Sequence, residues 1–267
     1  MSWITARRRH PAAGYAVVLL GLIAIGLVYA AITTPGGAAS AAAPPAARQE
    51  TAEGQALFAQ TCATCHGMYA QGTSTGPSLI GVGAAAVDFQ VSTGRMPAAE
   101  IGAEMARKPP RFGTKQTHEL AAYIASLGGG PAIPAPEQVS TSGANVGLGQ
   151  QLFVTNCAQC HNFVGAGGDL TYGKYAPPLT ASTPTQIYEA MQTGPEAMPV
   201  FNDTTITPSQ KRDIVAYVTE TRSSPNPGGF SLGRVGPVTE GLVAWLGGMA
   251  ALVAAAWWIA AKRREQA

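Results

Sequence analysis

The chain has 267 residues, room for two small domains with attachments at roughly 100 to 150 residues per domain. Charged residues make up only 12% of it, and 32 glycines with 20 prolines argue against long sheets or bundles and for loop-rich domains on linkers. A net charge of +2, with no basic stripe in the middle of the chain, argues against nucleic acid as a partner.

At the amino end, Arg7, Arg8, Arg9 and His10 precede an uncharged apolar stretch from Tyr15 to Ile32, long enough to cross a bilayer core. It exceeds the usual signal-peptide core of about 7 to 15 residues, yet Ala39-Ser40-Ala41 offers the small residues that a signal peptidase accepts. A retained anchor and a cleaved signal both stay open, so residues 1–33 are read as basic tail plus anchor or signal.

A small-residue linker, 34–50, leads to a first domain at 51–128. A second linker, 129–146, leads to a second domain at 147–223, and a third, 224–238, leads out of it. The two domains repeat one another. Gly54-Gln55-Ala56-Leu57-Phe58 followed by Cys62 matches Gly149-Gln150-Gln151-Leu152-Phe153 followed by Cys157. Gly76-Pro77-Ser78-Leu79 matches Ala176-Pro177-Pro178-Leu179, Arg95-Met96-Pro97 matches Ala197-Met198-Pro199, and Ala122-Tyr123-Ile124 matches Ala216-Tyr217-Val218 in a closing helix. Thr207 and Pro208 supply the second closing helix with a cap and a first-turn proline. Each copy reads as helix, loop, Met-bearing loop and last helix, with no alternating run to suggest a sheet. Phe58, Tyr123, Phe153 and Tyr217 recur at matching places and are expected to pack the helices of each copy together.

Beyond the third linker, residues 239–267 hold the uncharged run Gly241 to Ala261, with Trp245, Trp257 and Trp258, closed by Lys262, Arg263 and Arg264. This is a transmembrane helix with a basic tail. Basic residues concentrate on the cytoplasmic side, so both short ends are expected inside and everything from Thr33 to Thr239 on the outer face of the cell membrane.

All four cysteines fall in two copies of one pattern, Cys62-Ala63-Thr64-Cys65-His66 and Cys157-Ala158-Gln159-Cys160-His161. This is the attachment signature for c-type haem. Two thiols a helical turn apart add to the two vinyl groups of one porphyrin, and the adjoining imidazole ligates its iron. Zinc sites, a redox dithiol or two disulfides compete with this reading, but a histidine after each pair and no cysteine left over favour haem. The fold class is therefore all-α: two tandem cytochrome c domains plus transmembrane helices, holding two covalently bound haem c.

A thioether is the expected ligand on the opposite side of each iron, since it favours the reduced metal. Met96 and Met198 are the candidates, each in a loop with Pro after it. Met105 and His118 are rivals in the first domain, although His118 lies on an amphipathic stretch where a solvated surface role is the commoner one. Met68 is too close to His66 to reach round the ring, and Met191 belongs to a helix face. Pro77 and Pro177 follow their histidines by eleven and sixteen residues, near enough for a loop carbonyl to accept a hydrogen bond from the other ring nitrogen and fix the imidazole. With His and Met both coordinated, neither iron has a place for substrate, so the chain is expected to have no catalytic residue of its own. A dihaem peroxidase, which needs an open iron, is the enzyme alternative. A membrane-anchored carrier serving a dehydrogenase or a cbb-type oxidase is the other.

Three further stretches of the first domain are more specific: Gly76-Pro77-Ser78-Leu79-Ile80-Gly81, Phe89-Gln90-Val91-Ser92-Thr93-Gly94-Arg95-Met96-Pro97 and Arg107-Lys108-Pro109-Pro110-Arg111-Phe112. With them the chain resembles the dihaem cytochrome cc subunit of the actinobacterial menaquinol-cytochrome c reductase, the cytochrome bcc complex, over nearly the whole exported region and the carboxyl-terminal helix. The resemblance implies a translocase subunit that takes electrons from a Rieske iron-sulfur protein, beside cytochrome b, and passes them to the dicopper centre of a haem-copper cytochrome c oxidase. Chain order suggests that the first domain faces the Rieske protein and the second the oxidase.

Overall fold

The computed structural model describes residues 13–33, 44–100, 102, 104–224 and 237–264. Arg7, Arg8, Arg9, His10, the stretch Ala39–Ala41, linker residues 34–43 and 225–236, and the side chains of Lys262, Arg263 and Arg264 lie outside the described residues. Residues 1–48 and 49–267 form two compact units.

The first unit holds α1 (Ala13–Thr33), whose stretch Ala13–Ala30 has a mean hydropathy of 2.2 and is nowhere buried. In the second unit the last helix, numbered α11 below (Pro237–Arg264), carries the run Gly241–Ala261 with a mean hydropathy of 1.9, equally unburied. Both are long and apolar enough to cross a membrane. Trp245, Trp257 and Trp258 are each more than half exposed, which fits contact with lipid better than with water.

The rest of the second unit is one helical plan used twice. The first copy comprises α2 (Pro45–Thr61), α3 (Ala63–His66), α4 (Ala84–Ser92) and α5 (Thr114–Ser126). After a short α6 (Pro136–Val139), the second copy comprises α7 (Val146–Asn156), α8 (Ala158–His161), α9 (Pro184–Thr193) and α10 (Pro208–Ser223). Capping boxes start α9 and α10. Thr183 Oγ1 accepts from the Gln186 amide and Thr207 Oγ1 from that of Gln210, each glutamine side chain returns to the cap amide, and a proline follows each cap.

The first and last helices of each copy cross at a glycine. A Cβ on Gly54 would lie 1.9 Å from the Glu119 carbonyl oxygen, and one on Gly149 would lie 2.0 Å from that of Asp213. Only the missing side chain lets these backbones approach so closely. One turn further along, Phe58 meets Tyr123 and Phe153 meets Tyr217, both ring pairs with centroids 5.3 Å apart and tilted by 54° and 52°. The four aromatic residues that recur in the sequence are thus a duplicated helix-to-helix clamp.

Two features differ from the sequence reading. Helix α4 precedes the Met96 loop where only loop was expected, while its counterpart α9 carries Met191, which the sequence places on a helix face. A two-stranded antiparallel sheet, β1 (Gly168–Asp169) and β2 (Tyr175–Ala176), stands in the longer span between His161 and Pro177. Strands of two residues are too short to show alternation.

The segment between the domains is also less free than a linker. Pro131 O accepts from the Ala85 amide at 3.0 Å, tying its first half to the first domain. In its second half the Asn145 amide donates to Asp213 Oδ1 at 2.8 Å, and Gln138 Nε2 donates to the Tyr188 hydroxyl at 3.2 Å.

Candidate haem-binding sites

Cys62 and Cys157 end the long helices α2 and α7 and open the one-turn helices α3 and α8. The amide of His66 bonds to the Cys62 carbonyl at 3.0 Å and that of His161 to the Cys157 carbonyl at 2.9 Å, so each Cys-x-x-Cys-His pattern is a single helical turn. All four thiols are free. Burial, above all, pushes the Cys62 thiol up, and it pushes that of Cys157 up to about 12, with Cys160 adding to it. Among the described residues no three His, Cys, Asp or Glu side chains converge in one cluster.

The histidines are held from behind. His66 Nδ1 lies 2.8 Å from Pro77 O and His161 Nδ1 lies 3.1 Å from Pro177 O. A carbonyl can only accept, so each Nδ1 carries the proton and each Nε2 keeps its lone pair for a metal. Burial lowers the affinity of His161 for a second proton, with the bond to Pro177 opposing it. Different residues bring the two carbonyls into place. In the first domain, a Cβ on Gly76 would lie 2.7 Å from Cys65 O and 3.1 Å from His66 Nδ1, so glycine is needed directly before Pro77. In the second domain Ala176 takes that position, and the space comes from Gly167, at a φ of +80°, where a Cβ would lie 2.5 Å from Ala176 O.

Met96 and Met198 each pack against an apolar cluster that also takes in the first cysteine of their own domain. Met96 packs, half-buried, against the same apolar cluster as Cys62, a cluster built on Phe58, Val91, Leu120 and Ile124. Met198 packs with Phe201 against the cluster that contains Cys157 and Phe153. Met105 belongs to neither cluster. Met68 is 58% exposed, Met191 is buried on α9, and the His118 side chain is largely in solvent with Nε2 3.6 Å from Asp88 Oδ1.

The Met96 loop is pinned by charged residues of the Phe89–Pro97 and Arg107–Phe112 stretches, whose contacts the sequence does not show. Lys108 Nζ donates to Arg95 O at 3.1 Å and to Pro97 O at 2.6 Å, on either side of Met96. Gly94, at a φ of +70°, approaches Lys108 O so closely that a Cβ would lie 1.9 Å from it. Arg95 is 6% exposed, its guanidinium is 4.9 Å from the centroid of the Phe89 ring, and its Nε and Nη1 have no partner among the described residues. A buried guanidinium with unused donors suits an anionic carboxylate, which is what a haem presents at its propionate edge. Paired thiols on one turn, imidazoles with Nε2 free, a thioether loop for each, and these orphaned donors together fit haem c.

The two copies touch through α4 and α9. Gln186 Nε2 on α9 donates to Ser92 Oγ on α4 at 3.0 Å. Arg107, in the segment after the Met96 loop, donates to Ala181 O at 2.7 Å, Ser182 Oγ at 3.2 Å and Gln186 Oε1 at 3.3 Å. Glu104 accepts from the Tyr175 amide at 3.1 Å. Arg107-Lys108 thus serves both the Met96 loop and the contact between domains. The sequence marks Arg107-Lys108 as part of a family-like stretch but gives no sign of this double role.

The family model described as cytochrome c oxidase, cbb3-type, subunit III, matches twice, at residues 49–124 and 144–218. A cytochrome bc1 complex cytochrome c subunit of Corynebacterium diphtheriae is 43% identical, with 97% of this chain and 98% of the relative aligned. Its namesakes in Corynebacterium efficiens and Mycobacterium tuberculosis are 44% and 42% identical, over 95% and 96% of this chain and 90% and 93% of theirs. The chain belongs to the cytochrome bc1 complex cytochrome c subunits. The resemblance drawn from the Met96 and Arg107 stretches is borne out, and the fold is that of c-type domains with membrane helices. This makes it a haem-binding respiratory electron-transfer cytochrome c, a subunit of an oxidoreductase assembly at a membrane.

Proposed function

We propose that this cytochrome c holds two haem c, bonded through Cys62 and Cys65 in the first domain and through Cys157 and Cys160 in the second. His66 with Met96, and His161 with Met198, would hold the two irons, and Pro77 and Pro177 orient the imidazoles. The observation that carries the reading is the duplicated turn in which each histidine gives its Nδ1 proton to a prolyl carbonyl and keeps Nε2 for iron. Bound haem c supplies reversible one-electron chemistry, through which the chain relays electrons from the Rieske iron-sulfur subunit, beside cytochrome b, to the dicopper centre of a haem-copper oxidase.

The residues themselves position and exclude. Lys108 fixes the backbone on both sides of Met96, and the Phe58–Tyr123 and Phe153–Tyr217 clamps hold the first and last helices of each domain together. With both ligand positions filled no substrate is converted within the chain, and the assembly acts as a quinol-cytochrome c oxidoreductase and translocase. The run closed by Lys262, Arg263 and Arg264 orients α11 with its end in the cytoplasm, the basic amino end lies on the same side, and the haem domains lie outside.

Pyridine haemochrome analysis of the chain purified under mild detergent, with its co-purifying subunits, tests this. Two haem c per chain together with cytochrome b, a Rieske protein and an oxidase are expected. Fewer than two haems refutes the site assignment, and a preparation without cytochrome b refutes the assembly. Flash-photolysis on single-haem variants tests the order: loss of the Met198 haem should leave reduction by the Rieske protein intact.

A further inference from the structure

The contact between the two domains has a carboxyl pair at its centre. Gln186 and Glu189 lie three residues apart on α9, and Asp88 and Ser92 lie four apart on α4, so each pair shares one helix face. The bond from Gln186 to Ser92 sets the register of two antiparallel helices, and the next residues along the seam are then Glu189 and Asp88. Glu189 is completely buried and Asp88 is 7% exposed. Among the described residues no donor reaches either buried carboxyl oxygen of Glu189, so no cation there is hydrogen-bonded to it.

Apart from His118, which approaches Asp88 itself, and Arg212, the other charged groups around the joint are committed elsewhere. On α5, His118 approaches Asp88, while Lys115 bonds to Glu53 and Glu119. On α10, Lys211 pairs with Asp203 at 2.7 Å, Asp213 accepts from the Asn145 amide, Arg222 donates to Ser182 O, and Arg212 leaves its buried Nε unpaired. Arg107 is spent on Ala181, Ser182 and Gln186, and on α6 Gln138 meets the Tyr188 hydroxyl. Burial first, and the charge of Asp88 second, push the Glu189 carboxyl up to about 10.

We propose that Asp88 and Glu189 together bind one proton at neutral pH, and that this shared proton latches the two cytochrome domains to one another, so that its removal loosens the joint. Two carboxylates facing each other in a buried seam repel, whereas an acid facing a carboxylate can donate to it. The helices being latched lead directly into the Met96 and Met198 loops, so the proton helps to fix how those loops stand to each other.

The full haem-loaded chain in detergent tests this without any electron passing, so the outcome is independent of the relay reading. Infrared spectroscopy should show the carbonyl stretch of a protonated carboxylic acid at neutral pH, and Glu189→Gln should abolish it. Spin labels on Ala125→Cys and Ser209→Cys, one per domain, should give a narrow distance distribution that broadens as pH is raised past the titration of the band. In Glu189→Gln, which mimics the neutral acid, the distribution should stay narrow across the same range. No Glu189-dependent band, a wild-type distribution that stays narrow throughout, or the same broadening in Glu189→Gln overturns the proposal. Should that variant fail to fold, Asp88→Asn should keep the band and titrate it at lower pH, and an unchanged titration overturns the proposal equally.

Discussion

Two glycines on α7 separated by a single residue make opposite demands, and substituting each by alanine separates close helix packing from helix propensity. A Cβ at Gly149 would lie 2.0 Å from Asp213 O and 2.5 Å from its carbonyl carbon, on the partner helix α10. Ordinary contact begins at about 3.5 Å, so α7 and α10 must part by more than an ångström, which pulls the Phe153–Tyr217 clamp apart as well. Overpacking of this kind costs about 1–3 kcal/mol, and a crossing of two backbones, with no flexible side chain to yield, belongs at the upper end. At Gly147 the nearest atom is Asn145 Oδ1 at 3.5 Å, so alanine fits and gains up to about 1 kcal/mol from helix propensity. Denaturant melts of the haem-loaded chain, followed by Soret circular dichroism, should show Gly149→Ala unfolding its domain well before wild type and Gly147→Ala at or slightly after it. Equal midpoints for Gly149→Ala and wild type would refute the close crossing of α7 and α10.

Met198→Ala should lower the midpoint potential of one haem and open its iron to carbon monoxide, and an unchanged redox titration removes Met198 from the ligands. Lys108→Met removes a side-chain anchor that holds the backbone on both sides of Met96, so the first-domain haem should become reactive to carbon monoxide while the second does not, as read by optical difference spectra. In Gly76→Ala the new methyl displaces Pro77 from His66, and a changed ligand-field signature of the first-domain haem by electron paramagnetic resonance is expected, with none in the second. Glu189 is neutral in the folded chain and ionised when unfolded near neutral pH, so folding takes up a proton. Its stabilising effect is complete below the ordinary carboxyl range and falls as pH rises toward about 10, a slope that Glu189→Gln should remove from the pH dependence of the melt.

The local geometry of the site was legible in the sequence wherever it depends on near neighbours. Two Cys-x-x-Cys-His turns, two apolar runs and the repeated Gly-x-x-Leu-Phe pattern are local signals, and the positions of Pro77 and Pro177 implied the carbonyl that each histidine meets. Residues whose meaning lies across the fold were not legible. Glu189 reads as an ordinary polar position of an amphipathic helix until α4 supplies Asp88. Arg107 reads as a solvated charge until the second domain supplies Ala181 and Ser182. The hairpin between His161 and Pro177 was missed for another reason, its strands being shorter than one period of any pattern. In the opposite direction, the fold subdivides a stretch that composition presented as uniform.

That subdivision bears on how the molecule can be taken apart. Because Pro131 belongs to the first domain through Ala85, while Gln138 and Asn145 belong to the second through Tyr188 and Asp213, the seam between halves is confined to a few residues around Pro134 and Ala135. A half-molecule cut at Gly128, where the glycine run invites it, would strip a strap from one fragment and leave it trailing on the other. The two haem domains are therefore coupled by a short tether, and lengthening it at Ala135 is the gentlest way to let them drift apart with both pockets intact.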